Sequence, residues 1–195
     1  MYWRVEVKDK EGVFNSASES LKSEIKDFGL REAEDVRIKS VYFLIGSLTE
    51  QEADRIASGL LIDAVTQEYR LYGGDESPAI PEGYIALQIL YKPGVMDPVE
   101  YSTLKGIKDL GIDTVSAVRT ARKYLFKGNL SRKDLLFFAE KFLYNKLIEL
   151  VLPENEHKLY DFSNLPDYKF NLKGVAILDA TDKELMRLSS QGQLY

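Results

Sequence analysis

The sequence predicts an α+β protein made of two consecutive βαβαβ units, each a small three-stranded sheet with two helices on one face. Its 195 residues are 45% apolar and 29% charged, which is typical of a compact globular protein. The chain aligns with itself at an offset of 82 residues without a gap, and both aligned segments alternate strand and helix patterns in the same order. A unit of about 70 residues buries little apolar surface, so we expect the two units to pack together as a pseudo-dimer.

The self-alignment pairs residues 2–71 with residues 84–153. Sixteen pairs are identical, where chance gives about four or five. Three glycine pairs fall at predicted turns, and many non-identical core positions are apolar in both copies. The sequence therefore predicts one repeat at 1–72, an exposed linker at 73–83, a second repeat at 84–153, and at 154–195 a connector with the start of a following region.

Each unit is predicted to open with a strand. Residues 3–8 alternate apolar and charged side chains, which is the pattern of a strand with one buried face, and residues 85–90 are a more apolar copy. Asn15 and Asp97 then stand at helix N-cap positions, and Pro98 takes the first helical position, where its missing N–H costs nothing. Glycines are predicted at the turns and at the helix ends; these are Gly12, Gly29, Gly46, Gly94, Gly111 and Gly128.

The second half of each unit is predicted to be a strand, a helix and a strand. The middle strands lie near residues 34–45 and 115–127, and the closing strands near 66–71 and 147–152. Between them, Thr49 and Glu52 form a capping box, and Ser131 and Asp134 a weaker version of it.

A different pattern follows Pro153. Residues 154–170 form a polar connector, residues 174–178 are predicted to be a short strand, and Thr181 with Glu184 is a capping box that opens a last helix. The chain then stops in the middle of this pattern, so we expect it to be part of a longer protein.

Composition excludes several functional classes. The net charge of −5 comes from mixed signs without a basic stripe, so nucleic acid is not an expected partner. The chain has no cysteine, which excludes disulfides and thiolate zinc sites. The absence of cysteine is typical of a cytoplasmic protein. The first residues carry frequent charges and no apolar run is long enough to cross a bilayer, so we expect neither a signal peptide nor a membrane partner.

A search for catalytic chemistry finds little. The sequence has no glycine-rich phosphate loop and no nucleophile elbow, and its single histidine, His157, lies in the polar connector, where solvation explains it. Several acidic residues are candidates for acid, base or metal groups, but their spacing is that of solvated faces; these are Asp54, Asp63, Glu32, Glu34 and Asp35. We therefore predict no catalytic residue, no metal site and no cofactor bound by this region.

Basic residues on the middle strands are the candidate contacts. Arg37 and Arg119 occupy equivalent positions in the two repeats, beside Lys39 and Arg122. They are either surface charges or contacts for an anion or an acidic partner.

Several segments of both repeats resemble those of a known family. Residues 91–98, Tyr-Lys-Pro-Gly-Val-Met-Asp-Pro, resemble the Lys-x-Gly-Val-x-Asp-Pro signature of PurS, the small subunit of phosphoribosylformylglycinamidine synthase, and residues 11–15 are a looser copy. Residues 35–38 resemble the Asp-Val-Arg segment of the second PurS strand, and residues 66–70 its closing strand. The family usually has Gly-Lys after the Val-Arg pair, whereas Lys39-Ser40 and Ala121-Arg122 stand here, so contacts through that turn are not carried over.

The resemblance implies a role in ATP-dependent purine synthesis. In that family the PurS part has no catalytic residue and bridges a PurL-type synthetase and a PurQ-type glutaminase, with ATP and magnesium bound by the synthetase. Residues 174–195 resemble the segment that leads into PurL, which implies a fused synthase. The sequence leaves a further homo-oligomer open.

Two alternatives stay open at this point. A tandem regulatory module of the ACT type is also a duplicated sheet with helices on one face, but its units run βαββαβ, and ligand-dependent oligomerisation would favour it. The other alternative is an enzyme with a shallow acid-rich site.

Overall fold

The computed structural model describes residues 2–74, 76, 78–152, 174–175 and 177–192. They belong to two compact units, one within residues 1–163 and one within residues 164–195. The connector at 154–170, with His157, lies outside the described residues. In the described part of the chain, the helices are too short or too polar to cross a membrane.

The larger unit runs βαβαβ twice. The elements are β1 (Tyr2–Asp9), α1 (Ser16–Asp27), β2 (Ala33–Gly46), α2 (Glu50–Ile56), β3 (Gln67–Gly73), β4 (Tyr84–Tyr91), α3 (Pro98–Asp109), β5 (Val115–Gly128), α4 (Arg132–Phe142) and β6 (Glu149–Val151). A π-helical turn, Ala57–Leu61, extends α2. The predicted α+β class is confirmed. The duplication and the domain boundaries stay predictions.

All six strands form one antiparallel sheet in the order β3-β1-β2-β5-β4-β6. The pairing of β2 with β5 joins the two halves, and its register is symmetric about Ser40 and Arg122, which face each other and are equivalent in the self-alignment. The sequence predicts two three-stranded sheets but does not reveal this junction. Each half would otherwise expose a 14-residue strand edge, and pairing satisfies those backbone groups.

The ends of this junction are held by glycines. Gly46 and Gly128 have φ values of 154° and 138°. A Cβ at either position would come within 2.1 Å of a backbone oxygen of the other half, that of Thr114 or that of Glu32. Only a residue without a side chain permits this close approach.

Four helices cover one face of the sheet, which we call the helix face. Val36 and Leu44 lie on the same face of β2 because they are an even number of residues apart. Val36 belongs to a core cluster with residues of α1 and α4, such as Ile25 and Phe138. Leu44 belongs to a second cluster that contains residues of α2 and α3. Each cluster therefore contains helix residues from both halves of the chain.

The helices begin and end through local signals. The Asn15 side chain accepts a hydrogen bond from the Ser18 N–H, and Asp97 accepts from the N–H groups of Val99 and Glu100, with Pro98 in the first turn. Thr49 and Glu52 form the full reciprocal capping box. The remaining turn glycines have positive φ values; these are Gly12, Gly29, Gly94 and Gly111.

The other side of the sheet, which we call the opposite face, is buried at its centre as well. Val41, Phe43 and Ala121 form an apolar cluster there. Arg4 and Glu6 of β1 are only 1% and 2% exposed. The prediction that β1 has one buried face is therefore wrong. Its charged residues are buried because β1 is an inner strand, and side chains from three other strands reach over it.

The smaller unit contains α5 (Asp182–Gly192). Glu184 accepts a hydrogen bond from the Thr181 N–H at 2.9 Å, which is one half of the predicted capping box. The predicted strand at 174–178 is wrong, because its described residues 174, 175, 177 and 178 form no strand. Such a short segment needs a neighbouring strand to supply its hydrogen bonds.

Candidate functional site

The opposite face carries a buried group of charged and polar side chains from four strands. We call it the Glu6 cluster, and it consists of Arg4, Glu6, Lys39, Gln88 and Lys123. Glu6 is its one carboxylate and accepts from all three cations. The nitrogen-to-oxygen distances are 2.7 Å from Arg4, 2.8 Å from Lys39 and 2.9 Å from Lys123.

The cluster connects the two halves of the chain. Arg4 Nη2 donates to Gln88 Oε1 at 2.7 Å, and Lys123 of β5 donates to Glu6 of β1. Arg4 also lies over the Phe43 ring, 5.4 Å from its centroid. A buried ionic group of this kind is costly to break because each charge left behind remains away from water.

The ionisation of the cluster reflects its burial and its charges. Burial alone would raise the pKa of the Glu6 carboxyl, but the Lys123 ammonium, with Arg4 and Lys39, lowers it to about 2. Burial lowers the pKa of Lys123, and the positive charges of Arg4 and Lys39 act in the same direction against the attraction of Glu6. Glu6 is therefore ionised at neutral pH and holds the cations together.

Two of the basic residues singled out in the sequence lie near each other on this face. Arg37 and Lys39 are two residues apart on β2 and point to the same side. Lys39 belongs to the Glu6 cluster. Arg37 pairs with Asp35 at 2.8 Å and lies over the Tyr84 ring at 4.9 Å. Burial raises the pKa of Asp35, but hydrogen bonds from Tyr84 and Arg37 lower it overall.

The other two are not brought together with them. Arg119 and Arg122 are three residues apart on β5, so they lie on opposite faces of that strand. Arg119 pairs with Glu100 of α3, and Arg122 pairs with Glu149 of β6. The four basic residues therefore do not form one site. Their role as partner or anion contacts stays a prediction.

Two of the candidate acidic residues, Asp54 and Asp63, have structural contacts. Asp54 accepts from the Tyr69 hydroxyl at 2.6 Å, and Asp63 accepts from the Val65 N–H at 2.8 Å in the turn before β3. Within the described residues, no group of three or more histidine, aspartate or glutamate side chains could hold a metal ion.

A groove of about 840 Å³ lies beside the Glu6 cluster. Its wall includes Lys39 and Arg37 of β2, Arg70 and Tyr72 of β3, Phe14 from the loop before α1, and Pro81 from the segment between the halves. The Lys39 side chain is 16% exposed, whereas the Lys123 and Glu6 side chains are 2% and 1% exposed. Lys39 is therefore the member of the cluster that reaches the groove.

The sequence analysis missed most of this cluster. Arg4 and Glu6 alternate with apolar residues and therefore have the pattern of a solvent face. A signal did exist in the self-alignment, where Lys123 stands opposite Val41. A lysine at a position that is apolar in the other copy indicates a specific partner.

A comparison with protein families finds a match in the first part of the chain. A model of PurS, described as phosphoribosylformylglycinamidine (FGAM) synthase, matches residues 2–72. This part of the chain is similar to the PurS family. The matched PurS segment contains β1 to β3 but for the last residue of β3, and with them Arg4, Glu6 and Lys39. A search of curated proteins finds no match to the chain.

By its description, the PurS family is part of FGAM synthase, so the match relates residues 2–72 to that enzyme. The predicted resemblance is confirmed over residues 2–72. For residues 84–153, which the matched segment does not include, the resemblance stays a prediction.

Proposed function

We propose that this protein is a non-catalytic module of two PurS units that bridges the PurL-type synthetase and the PurQ-type glutaminase of FGAM synthase. In this role it couples glutamine hydrolysis to amidation of formylglycinamide ribonucleotide. The module binds no cofactor itself, and ATP and magnesium belong to the synthetase. The second unit is a diverged copy of the first, and the pair packs as a pseudo-dimer within one chain.

The observation that carries this proposal is the β2–β5 junction. Its register is symmetric about Ser40 and Arg122, and each core cluster mixes helices of both halves. Two copies of one unit would pack in this way across a twofold axis. The PurS match over the first half gives that unit its family.

The contacts of the acidic residues support a bridging role over a catalytic one. Asp54 and Asp63 hold a tyrosine hydroxyl and a turn N–H. A general base needs an oxygen within hydrogen-bond reach of a substrate, and these carboxylates already accept bonds that keep local structure together.

The regulatory alternative requires two strands between the helices of each unit. β2 and β5 are each a single strand of 14 residues. Their mutual pairing is regular from Asp35 to Ile45. The order βαβαβ therefore favours the PurS unit over the ACT unit in both halves.

The test is FGAM formation by the synthetase and the glutaminase, with and without the full chain, fed either glutamine or ammonium. A coupling module restores the glutamine reaction and leaves the ammonium reaction nearly unchanged. If neither reaction responds to the chain, the proposal is wrong.

A pair of variants tests the candidate contacts within the same assay. Arg37→Ala removes an exposed cation whose ion pair adds little to stability. We expect it to slow the glutamine reaction selectively. Lys133→Ala removes an exposed cation from α4 on the helix side and should leave both reactions unchanged. Equal effects of the two substitutions would exclude Arg37 as a contact.

A further inference from the structure

The Glu6 cluster contains more positive than negative charge. Lys39 and Lys123 both donate to the Glu6 carboxylate, at 2.8 and 2.9 Å. Even with Arg4 left aside, two ammonium groups share one carboxylate. Buried charges are normally matched by opposite charges, because the desolvation cost of an unmatched charge is not offset by an attraction.

A second observation at this place concerns Gln88. Its side chain is 7% exposed, and its Oε1 accepts from Arg4. Among the described residues, its Nε2 has no hydrogen-bond partner. Gln88 and Lys123 are direct cross-strand neighbours, so their side chains leave the same face of the sheet side by side. Buried amide groups without a partner are rare, and each one calls for an explanation.

The groove gives access to this place. Lys39 reaches both the Glu6 carboxylate and the groove wall, where Arg70 of β3 also lies. The other two cations of this wall on the opposite face, Lys8 and Arg37, are paired with Glu68 and Asp35. Lys10, beyond the end of β1, donates to the backbone carbonyls of Ala64 and Val65. Lys39 shares the Glu6 carboxylate with Arg4 and Lys123, and Arg70 hydrogen-bonds the Tyr72 side chain. Lys39 and Arg70 are therefore the cations of this face of the groove that have no carboxylate of their own among the described residues.

We propose that the inner end of this groove binds an oxyanion, a carboxylate or phosphate group of a small molecule, through Lys39 and Arg70, with Lys123 and Gln88 behind them. The anion supplies the negative charge that Glu6 alone does not. The lowered pKa of Lys123 agrees with this, because burial and the neighbouring cations disfavour its charged form.

The self-alignment suggests a substitution at Gln88 that tests this site. Gln88 is equivalent to Glu6, so Gln88→Glu places a carboxylate where the other half already has one. The new carboxylate would lie beside Arg4 and Lys123 and take the place of the bound anion. We expect the variant to unfold at a higher temperature than the unsubstituted protein without added anion, and to lose its response to anions.

The experiment measures the thermal unfolding midpoint of the full chain against the concentration of inorganic phosphate or of glutamate, with sodium chloride at equal ionic strength as the reference. A ligand that binds the folded state raises the midpoint as its concentration rises. A response to phosphate alone or to glutamate alone identifies which oxyanion the site prefers. A response to both indicates a general oxyanion site.

Four variants locate the site. Lys39→Met and Gln88→Glu should weaken the apparent affinity at least about tenfold, as expected for loss of a charge-assisted contact. Lys133→Met and Gln51→Glu make the same charge changes at exposed helix positions and should retain the response. The proposal is overturned if neither anion acts beyond chloride, or if Lys39→Met and Gln88→Glu respond like the unsubstituted protein.

Discussion

The two halves of the sheet have the same elements but different chemistry on the opposite face. β1 and β4 have 8 residues each, α1 and α3 have 12 each, and β2 and β5 have 14 each. Yet the first half has Arg4, Glu6 and Lys39 where the second has Ala86, Gln88 and Ala121. The difference teaches that two halves with the same elements can carry different side chains: the first half supplies the carboxylate and two of the three cations of the Glu6 cluster, and the second supplies Lys123 and Gln88.

The helix side differs too. Phe28 makes edge or tilted ring contacts with Phe137, Phe138 and Phe142 of α4. The equivalent position to Phe28 is Leu110, and α2 with its π-helical turn supplies aliphatic side chains there. The cluster that contains α4 is therefore rich in aromatic side chains, whereas the cluster that contains α2, the equivalent helix of the first half, is aliphatic.

The largest expected effects come from truncating one buried residue in each of these two clusters. Phe138 and Ile56 are equivalent and fully buried. We expect Phe138→Ala to lower the free energy of unfolding by about 3–5 kcal/mol and Ile56→Ala by about 2–5 kcal/mol. The loss at Phe138 is the larger one because its ring also contacts other aromatic rings. Urea unfolding measures both. A smaller loss at Phe138 than at Ile56 would contradict the role given to the aromatic cluster.

The next largest effect is expected from removing the carboxylate of the Glu6 cluster. Glu6→Gln removes the carboxylate shared by three cations, and we expect a loss of about 3 kcal/mol in the free energy of unfolding at pH 7. Glu68→Gln breaks only the exposed pair with Lys8 and should cost less than about 1 kcal/mol. Similar losses for the two variants would show that the cluster does not stabilise the junction.

The same variant gives a pH dependence with a defined sign. The pKa of Glu6 is about 2 in the folded protein, against 4.5 for an unperturbed group. A lowered folded-state pKa stabilises the protein above the unfolded-state value, and this stabilisation is lost as the pH falls through the folded-state value. The stability difference between the unsubstituted protein and Glu6→Gln should therefore be constant from pH 5 to 7. It should shrink between pH 4.5 and about 2, as urea unfolding at each pH would measure.

A smaller effect is expected at the N-caps of the first helix of each half, α1 and α3. Asp97 caps α3 through two backbone N–H groups and also accepts from Thr120, whereas Asn15 caps α1 through one N–H. We expect Asp97→Ala to cost about 2 kcal/mol and Asn15→Ala about 1 kcal/mol, measured by thermal unfolding. Asp97→Asn keeps a capping oxygen and should cost less than Asp97→Ala.

The smallest effect concerns helix contact in the aliphatic cluster. A Cβ at Gly106 of α3 would lie 2.8 Å from Leu60 Cδ1, the flexible end of a side chain. The gain in helix propensity of about 1 kcal/mol offsets part of this clash, so Gly106→Ala should destabilise by less than about 1 kcal/mol. Gly59→Ala meets no neighbour within 4 Å and should stabilise. A stabilising Gly106→Ala would mean that α3 does not need the close contact.

Local signals explain why the elements were predictable. Asn15, Asp97 and Thr49 accept bonds from residues two or three positions ahead, and the turn glycines have the left-handed conformation that their positions demand. The short strand predicted at 174–178 failed because its apolar run has no strand to pair with in the described part of the unit. A strand, unlike a helix, obtains its hydrogen bonds from elsewhere in the chain.

The candidate site was only half predictable. Arg37 and Lys39 were singled out by their position on β2, and both lie at the groove. Their partners were not foreseen, because Glu6 lies 33 residues from Lys39, and Lys123 lies 117 residues from Glu6. Arg122 was grouped with Arg119, although strand alternation alone places them on opposite faces.

The sequence by itself determined the class, the order and the ends of the elements, since periodicity, caps and turn glycines act over a few residues. It also determined the PurS resemblance of residues 2–72, which the family match confirms. Only the tertiary structure decided that β2 pairs with β5 and that Arg4 and Glu6 are buried. Both depend on which surfaces meet across the whole chain, and a strand edge or a charged face is equally compatible with solvent until its partner is in place.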